Sequence, residues 1–101
     1  MIMRVFQVTT RPGKEKEFSE FFHGTAIPLM SNVDGIEKIF PGAARSDSPR
    51  EFSFVMIWRD LDALKAFVGE DYTNPHIDPA EAEIVESRLI RHYDLVETGT
   101  S

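Results

Sequence analysis

The stretch that most constrains the fold is residues 51–67, EFSFVMIWRDLDALKAF, because its periodicity changes in the middle. In the first half, large apolar side chains alternate with period two, which is typical of a β-strand, and both alternating sets are largely apolar at the centre. Asp60 then offers a carboxylate that can cap free N–H groups, and apolar residues follow at helical spacing. The pattern predicts a central strand, covered on both faces, that leads directly into a helix.

The rest of the chain completes an α+β prediction. Residues 2–10 alternate like a first strand, and further strands are expected at 36–40 and 88–97. A helix is expected over 79–87, because Pro79 suits the first helical position. The order strand, helix, strand, strand, helix, short helix, strand is typical of a ferredoxin-like, four-stranded antiparallel sheet with helices on one face. We expect one domain over residues 1–97 and a frayed tail at 98–101.

Residues 14–30 are predicted to form the first helix. An apolar stripe at spacings of three and four would face the core, and its members are Phe18, Phe21, Phe22, Thr25 and Leu29. Gly24 and Pro28 weaken this helix, and Pro28 is expected to kink or end it.

The predicted sheet has more apolar surface than one chain covers. Apolar and aromatic side chains fall on both of its faces, whereas the helices pack on only one. A second copy packed face to face would cover the other face, and two-fold dimers are the commonest soluble oligomers. We therefore predict a homodimer.

Composition excludes several classes of function. The 101 residues include no Cys, which rules out a thiolate nucleophile and a Cys-based metal site, and no Gly-rich phosphate loop or Ser-His-Asp arrangement is visible. With 17 acidic and 11 basic residues the net charge is −6 and no basic cluster exists, so neither nucleic acid nor an anionic membrane is an expected partner. No signal peptide is recognisable, so a cytoplasmic location is expected. Glu81, Glu83 and Glu86 are predicted to form a solvated face without metal-ligand spacing.

Three segments, FQVTTRPGKEKEF, VMIWRDLDALKAFVGEDY and IRHYDLVE, resemble the antibiotic biosynthesis monooxygenase family. The shared features are a Trp that closes the third strand, a helix ending in a Phe followed by Gly-Glu-Asp, and a last strand opening with His-Tyr; here these are Trp58, Phe67 and His92-Tyr93. The resemblance implies a small dimeric α+β barrel with an apolar pocket between each sheet and its helices. The best understood members oxidise polycyclic phenols with O₂ and use neither metal nor flavin, whereas others bind and degrade heme.

The resemblance also suggests site residues. The heme-degrading branch uses an Asn on the first strand, a Trp in the helix after the third strand and a His further on; the corresponding places are Gln7, Phe67 and His76, and only the His agrees. Quinol-forming members place Trp, Asn, Tyr or Arg near the substrate. The residues here with that chemistry are Trp58, Tyr72, Arg4 and Arg91.

Two histidines are the candidate bases. His92 can accept a phenol proton near neutral pH if its face of the last strand is the helix-covered one; the alternative is a structural histidine bonded to a carboxylate or carbonyl. His76, in a loop, is either a base, a ligand of heme iron, or simply solvated. Trp58 and the phenylalanines either fill a core or line a cavity, and sequence does not separate these two cases.

Three hypotheses follow, in this order. The first is a cofactor-independent monooxygenase of a small aromatic or phenolic compound, with His92 and then His76 as the base, because an ionised phenol can itself pass an electron to O₂. Its substrate contacts would be Gln7, Trp58, Phe67 and Tyr72. The second is a non-catalytic dimeric module that binds a small apolar ligand, and the third is a heme-binding or heme-degrading protein with His76 as the iron ligand.

Overall fold

The computed structural model describes residues 1–74 and 79–98, except for the side chain of Ala80. Its elements are β1 (Ile2–Thr10), α1 (Glu15–Phe21), a π-helical turn (Phe22–Ala26), α2 (Ile27–Met30), β2 (Ile36–Gly42), β3 (Glu51–Trp58), α3 (Leu61–Val68), α4 (Pro79–Ala82) and β4 (Val85–Asp94). The strands form one antiparallel sheet in the order β2-β3-β1-β4. The predicted ferredoxin-like α+β fold is confirmed.

The strand register divides the side chains between the two faces of the sheet. Phe6 pairs with Phe54 and Val8 with Phe52, and these side chains lie on the helix-covered face. There the ring of Phe18 packs on Phe52 with centroids 4.8 Å apart, and Phe22 packs on the same ring at 5.3 Å. This face therefore forms the core, which is largely aromatic.

The opposite face of the sheet is also apolar, and none of the helices in the described residues covers it. Its centre is the pair Val5 and Val55, which face each other across β1 and β3. The other large apolar residues of this open face are Met3, Phe40, Ile57, Leu89 and Tyr93. Phe40 and Tyr93 are each 53% exposed, so the chain leaves large hydrophobic side chains in contact with solvent.

The first helical segment differs from its prediction in which residues face the core. The predicted core positions Thr25 and Leu29 are exposed, and Ala26 and Met30 pack against the core instead. The π-helical turn is the reason, because its i→i+5 bonds insert one extra residue into the turn and move the inward face by one position. The same turn directly precedes Pro28, which lies in the first turn of α2 and does not end the helix.

The last helix and strand also have different bounds from those predicted. The helix expected over 79–87 ends at Ala82, and β4 begins at Val85 rather than at 88. The carbonyl of Ile84 accepts a hydrogen bond from the N–H of Arg11 at 2.9 Å, and Val85 pairs with Thr10 and is buried. Pairing of this segment with β1, burial of Val85 and partial burial of Ile84 therefore override a weak local preference for helix.

Helix α3 begins where the sequence predicted. The Asp60 carboxylate accepts a hydrogen bond from the N–H of Ala63 at 2.8 Å, which is the expected N-cap. The helix ends at Val68 and is followed by Gly69. This position brings Phe67 next to Trp58 at the end of β3, with ring centroids 5.7 Å apart.

Candidate functional site

A cavity of about 210 Å³ lies between the helix-covered face of the sheet and the helices. Strands β1 and β3 line one side, and the first helical segment and α3 line the other. Seven phenylalanines contribute to its walls: Phe6, Phe18, Phe21, Phe22, Phe52, Phe54 and Phe67. Because an apolar cavity of roughly 150 Å³ accommodates benzene, this cavity has room for more than one aromatic ring. The aromatic residues therefore both form the core and enclose a cavity.

Arg4 brings a positive charge to this apolar cavity. It lies on the helix-covered face of β1 and is only 6% exposed. Its Nη1 donates to the carbonyl oxygen of Tyr72 at 2.9 Å and to Nε2 of His92 at 2.8 Å. Both acceptors are neutral, and within residues 1–74 and 79–98 no carboxylate forms an ion pair with this guanidinium. Burial lowers the pKa of Arg4, as expected for a cation without a counter-ion.

His92 lies beside Arg4 because the two residues pair directly across β1 and β4. A guanidinium only donates, so Nε2 of His92 must accept, which leaves the ring proton on Nδ1. Burial, and then the charge of Arg4, lower the pKa of His92 and favour this neutral form. The Tyr72 ring meets the imidazole edge to face at 5.1 Å. His92 and Tyr72 line a separate depression with Tyr93 and Asp94, not the aromatic cavity.

Trp58 brings an unsatisfied donor to the cavity wall. Its side chain is fully buried and lines the cavity, and its indole N–H has no hydrogen-bond partner in the described part of the chain. A buried donor without a partner costs about 1–3 kcal/mol.

Glu81 supplies a carboxylate to the same cavity, although the sequence predicted it to be solvated. Nη2 of Arg88 donates to Oε2 of Glu81 at 3.2 Å, and these side chains are 8% and 17% exposed respectively. Arg88 lies on the helix-covered face, opposite Val8. Period-two counting from Ile90 would have indicated that Arg88 is buried and needs a partner.

The structure brings together only some of the predicted site residues. Trp58 and Phe67 line the cavity, and Arg4 separates Tyr72 and His92 from it. Gln7 is exposed on the open face, so its side chain points away from the cavity. Arg91 lies on that face as well. His76 lies outside the described residues, and its role stays a prediction.

Two of the three residues that correspond to the heme-degrading branch, Gln7 and Phe67, do not converge on this cavity, and the third, His76, lies outside the described residues. Gln7 and Phe67 lie on opposite sides of the sheet, and no histidine of the described ranges lines the cavity. The same ranges contain no group of three or more His, Cys, Asp or Glu side chains arranged to hold a metal ion. Within the described residues the cavity therefore offers no histidine ligand for heme iron, and a role for His76 in binding heme stays a prediction.

The fold is shared with solved structures of low sequence identity. Protein SO0527 from Shewanella oneidensis is 23% identical, with a TM-score of 0.74, and the match covers 91% of this chain and 87% of that one. NE2512 from Nitrosomonas europaea, a protein of unknown function, is 17% identical over 99% and 93% of the chains, with a TM-score of 0.74. A mutant of SnoaB from Streptomyces nogalater, a cofactor-independent oxygenase, is 16% identical over 99% and 97%, with a TM-score of 0.70.

None of the helices in the described ranges has the length and apolar character needed to cross a membrane.

Comparison with curated proteins and with family models gives different results. No curated protein matches the sequence. The family model for antibiotic biosynthesis monooxygenases matches residues 1–74, which is most of the chain. The chain therefore belongs to the antibiotic biosynthesis monooxygenase family.

Proposed function

We propose that the protein is a cofactor-independent monooxygenase that oxidises a small phenolic compound with O₂. The observation that carries the proposal is the buried charge of Arg4 at the wall of an aromatic cavity, where no carboxylate of residues 1–74 and 79–98 pairs with it. A buried cation is stabilised by an anion, and a phenolate combines a negative oxygen with an apolar ring. The relation to SnoaB, which is a cofactor-independent oxygenase, supports the same chemistry.

Arg4 is the residue that we assign to substrate activation. Its guanidinium stabilises the ionised phenol oxygen, so the pKa of the bound phenol is lowered and its proton leaves to solvent. The phenylalanine walls hold the ring and exclude water, which strengthens this interaction. The resulting anion is electron-rich enough to reduce O₂.

The reaction balances without an external reductant. The phenolate passes one electron to O₂, and the two radicals combine to form a C–O bond at the para carbon. The hydroperoxide then loses water, made of the para hydrogen, the distal oxygen and a proton, as its O–O bond breaks. A phenol and O₂ thus yield a para-quinone and water, and the substrate supplies all four electrons. The protein contributes orientation, charge and a dry cavity.

His92 has a different role here from the base that the sequence suggested. Its Nε2 lone pair is occupied by Arg4, and it does not line the cavity. We propose that neutral His92 and the Tyr72 carbonyl orient the guanidinium towards the substrate. His92 is then a positioning residue.

The test is an anaerobic titration with 1-naphthol, whose para carbon carries a hydrogen, followed by absorbance of the naphtholate, and then O₂ uptake on admitting air. The native protein should bind the anion at neutral pH, and Arg4→Met should weaken binding by at least about tenfold, the effect of losing a charge-assisted hydrogen bond. Arg45→Met is the matched control, because Arg45 lies in an exposed loop.

Three outcomes are decisive. Equal binding of the anion by the native protein and Arg4→Met would contradict the assignment of Arg4. O₂ uptake with one quinone formed per O₂ consumed would support the oxygenase. Tight binding without O₂ uptake, for every phenol tried, would instead favour a non-catalytic module that binds small aromatic ligands.

We also propose that the protein acts as a homodimer. The open face of the sheet, with Val5 and Val55 at its centre, exposes the large apolar side chains of Phe40, Leu89 and Tyr93. Exposed apolar patches of this kind mark interaction sites, and a second copy offers a surface of the same shape and chemistry.

A further inference from the structure

The cavity has a second charged group far from Arg4. Glu81 lines the cavity and is held there by Arg88. On β4, His92 lies beside Arg4 and Arg88 lies four residues earlier on the same face. Four residues of strand span about 13 Å, so the cation and the carboxylate approach the cavity from opposite ends.

Within the described residues, only one of the two oxygens of the Glu81 carboxylate accepts a hydrogen bond. Its Oε2 accepts from Arg88, whereas Oε1 makes no hydrogen bond in the described part of the chain. Nε of Arg88 is also buried without a partner. A partly buried carboxylate with one free oxygen and a paired second oxygen is a strong and fixed acceptor.

We infer that Glu81 recognises a hydrogen-bond donor on the end of the substrate opposite to its ionised oxygen. The inference rests on the proposed function and narrows it to one substrate class: an elongated two-ring phenol with a second hydroxyl at its far end. The size of the cavity, larger than one ring requires, agrees with two rings. Glu81 is thus a specificity-determining residue, and Arg88 positions it.

The experiment compares three ligands of similar shape by anaerobic calorimetry. Naphthalene-2,6-diol has a hydroxyl at both ends, 2-naphthol has only one, and 6-methoxy-2-naphthol replaces the second donor by an acceptor. The native protein should bind the diol about tenfold more tightly than 2-naphthol or the methoxy compound, as expected for a hydrogen bond to a charged group.

Variants of Glu81 test which residue causes the preference. Glu81→Met combined with Arg88→Met replaces the ion pair by apolar side chains of similar volume, which is often tolerated by the fold. The preference for the diol should disappear, so that the diol and 2-naphthol bind with equal affinity, because the carboxylate that accepts from the second hydroxyl is gone. Glu81→Gln, which keeps an acceptor but loses the charge, should reduce the preference. Exposed Glu83→Gln is the matched control and should keep it.

The outcomes separate this inference from the proposed function. Binding of 2-naphthol as an anion with no preference for the diol would overturn only the role of Glu81. A preference that survives in the double variant would also overturn it. Failure of the native protein to bind any of the three ligands would overturn the proposed function and this inference together.

Discussion

Among the described residues, those that orient Arg4 are neutral groups, and this has consequences for the protonation of His92. His92 can accept from the guanidinium only while Nε2 carries no proton. If His92 were protonated, two donors and two positive charges would face each other. The pairing of β1 with β4 fixes both residues, so neither can move away without disturbing the sheet.

We predict that this pair makes stability depend on pH. The pKa of His92 is lowered in the folded state, by burial and by Arg4, whereas an unfolded histidine titrates near pH 6.5. Between these two values the unfolded chain binds more protons, so the free energy of unfolding should fall as the pH decreases below about 6.5. Urea unfolding at several pH values measures this decrease. His92→Gln, whose amide oxygen still accepts from Arg4 but does not titrate, should show a smaller decrease.

The exposed His23 supplies the control for this prediction. His23→Gln should keep the pH dependence of the native protein. Parallel stability curves for the native protein and His92→Gln would contradict the coupling of His92 to Arg4.

Sequence patterns predicted which large apolar residues lie under the helices better than the places of the polar residues near the cavity. Trp58 and Phe67 line the cavity, whereas the sequence left open whether such residues fill a core or line a cavity. The positions of Gln7 and Glu81 were not predictable in the same way. Gln7 belongs to the open face by register, and the partly buried Glu81 pairs with Arg88, a residue seven positions later that faces inward. Such pairings are set by tertiary contacts rather than by local periodicity.

At the level of elements, the π-helical turn decides which residues meet the cavity. Phe18, Phe22, Ala26 and Met30 are spaced by four and all line it. In a regular α-helix each step of four residues overshoots a full turn by about 40°, so these side chains would drift apart around the helix. The extra residue in the π turn reverses this drift. Regular α-helical spacing does not include this extra residue. It therefore predicted that Thr25 and Leu29, rather than Ala26 and Met30, face the core.

A second element-level feature is the close approach of Gly35 to α3, and we predict its cost. Gly35 has φ +94°, and a Cβ there would lie 2.7 Å from Cβ of Ala63. Gly13 has a similar φ of +83° but no atom within 4 Å of an added Cβ. Both Gly→Ala changes should carry the backbone cost of about 1–2 kcal/mol, and only Gly35→Ala should add about 1–3 kcal/mol for overpacking.

Urea unfolding of the two variants measures the difference between them. Adding Ala63→Gly to Gly35→Ala removes the clashing methyl group, so the double variant should recover part of the lost free energy of unfolding. Equal losses for Gly13→Ala and Gly35→Ala would show that the contact with α3 is unimportant.

At the scale of the whole molecule, the two faces of the sheet differ in what they contact: helices pack on one face, and the other exposes large apolar side chains. The order of elements was enough to predict the sheet and the single helical layer, because only a few topologies suit such an order. The chain then leaves the open face apolar across all four strands. For an isolated chain this surface would be an aggregation hazard.

We predict that a charge at the centre of the open face produces monomers. Val55→Lys places an ammonium group between two copies packed face to face, where it would be desolvated, whereas in a monomer it points to water. Sedimentation velocity at micromolar concentration should give a dimer for the native protein and a monomer for the variant. Ser46→Lys, in an exposed loop, adds the same charge and should stay dimeric. A monomeric native protein would contradict the proposal.

Trp58 is an intrinsic fluorophore at the cavity wall. It is the chain's single tryptophan, it is fully buried, and it forms part of the cavity wall. Its emission therefore reports one environment, which is apolar when the cavity is empty and contains a second aromatic ring when it is filled. Screening a collection of phenols for quenching or energy transfer thus needs no added dye. The same signal would follow ligand exchange in real time, before any product is known.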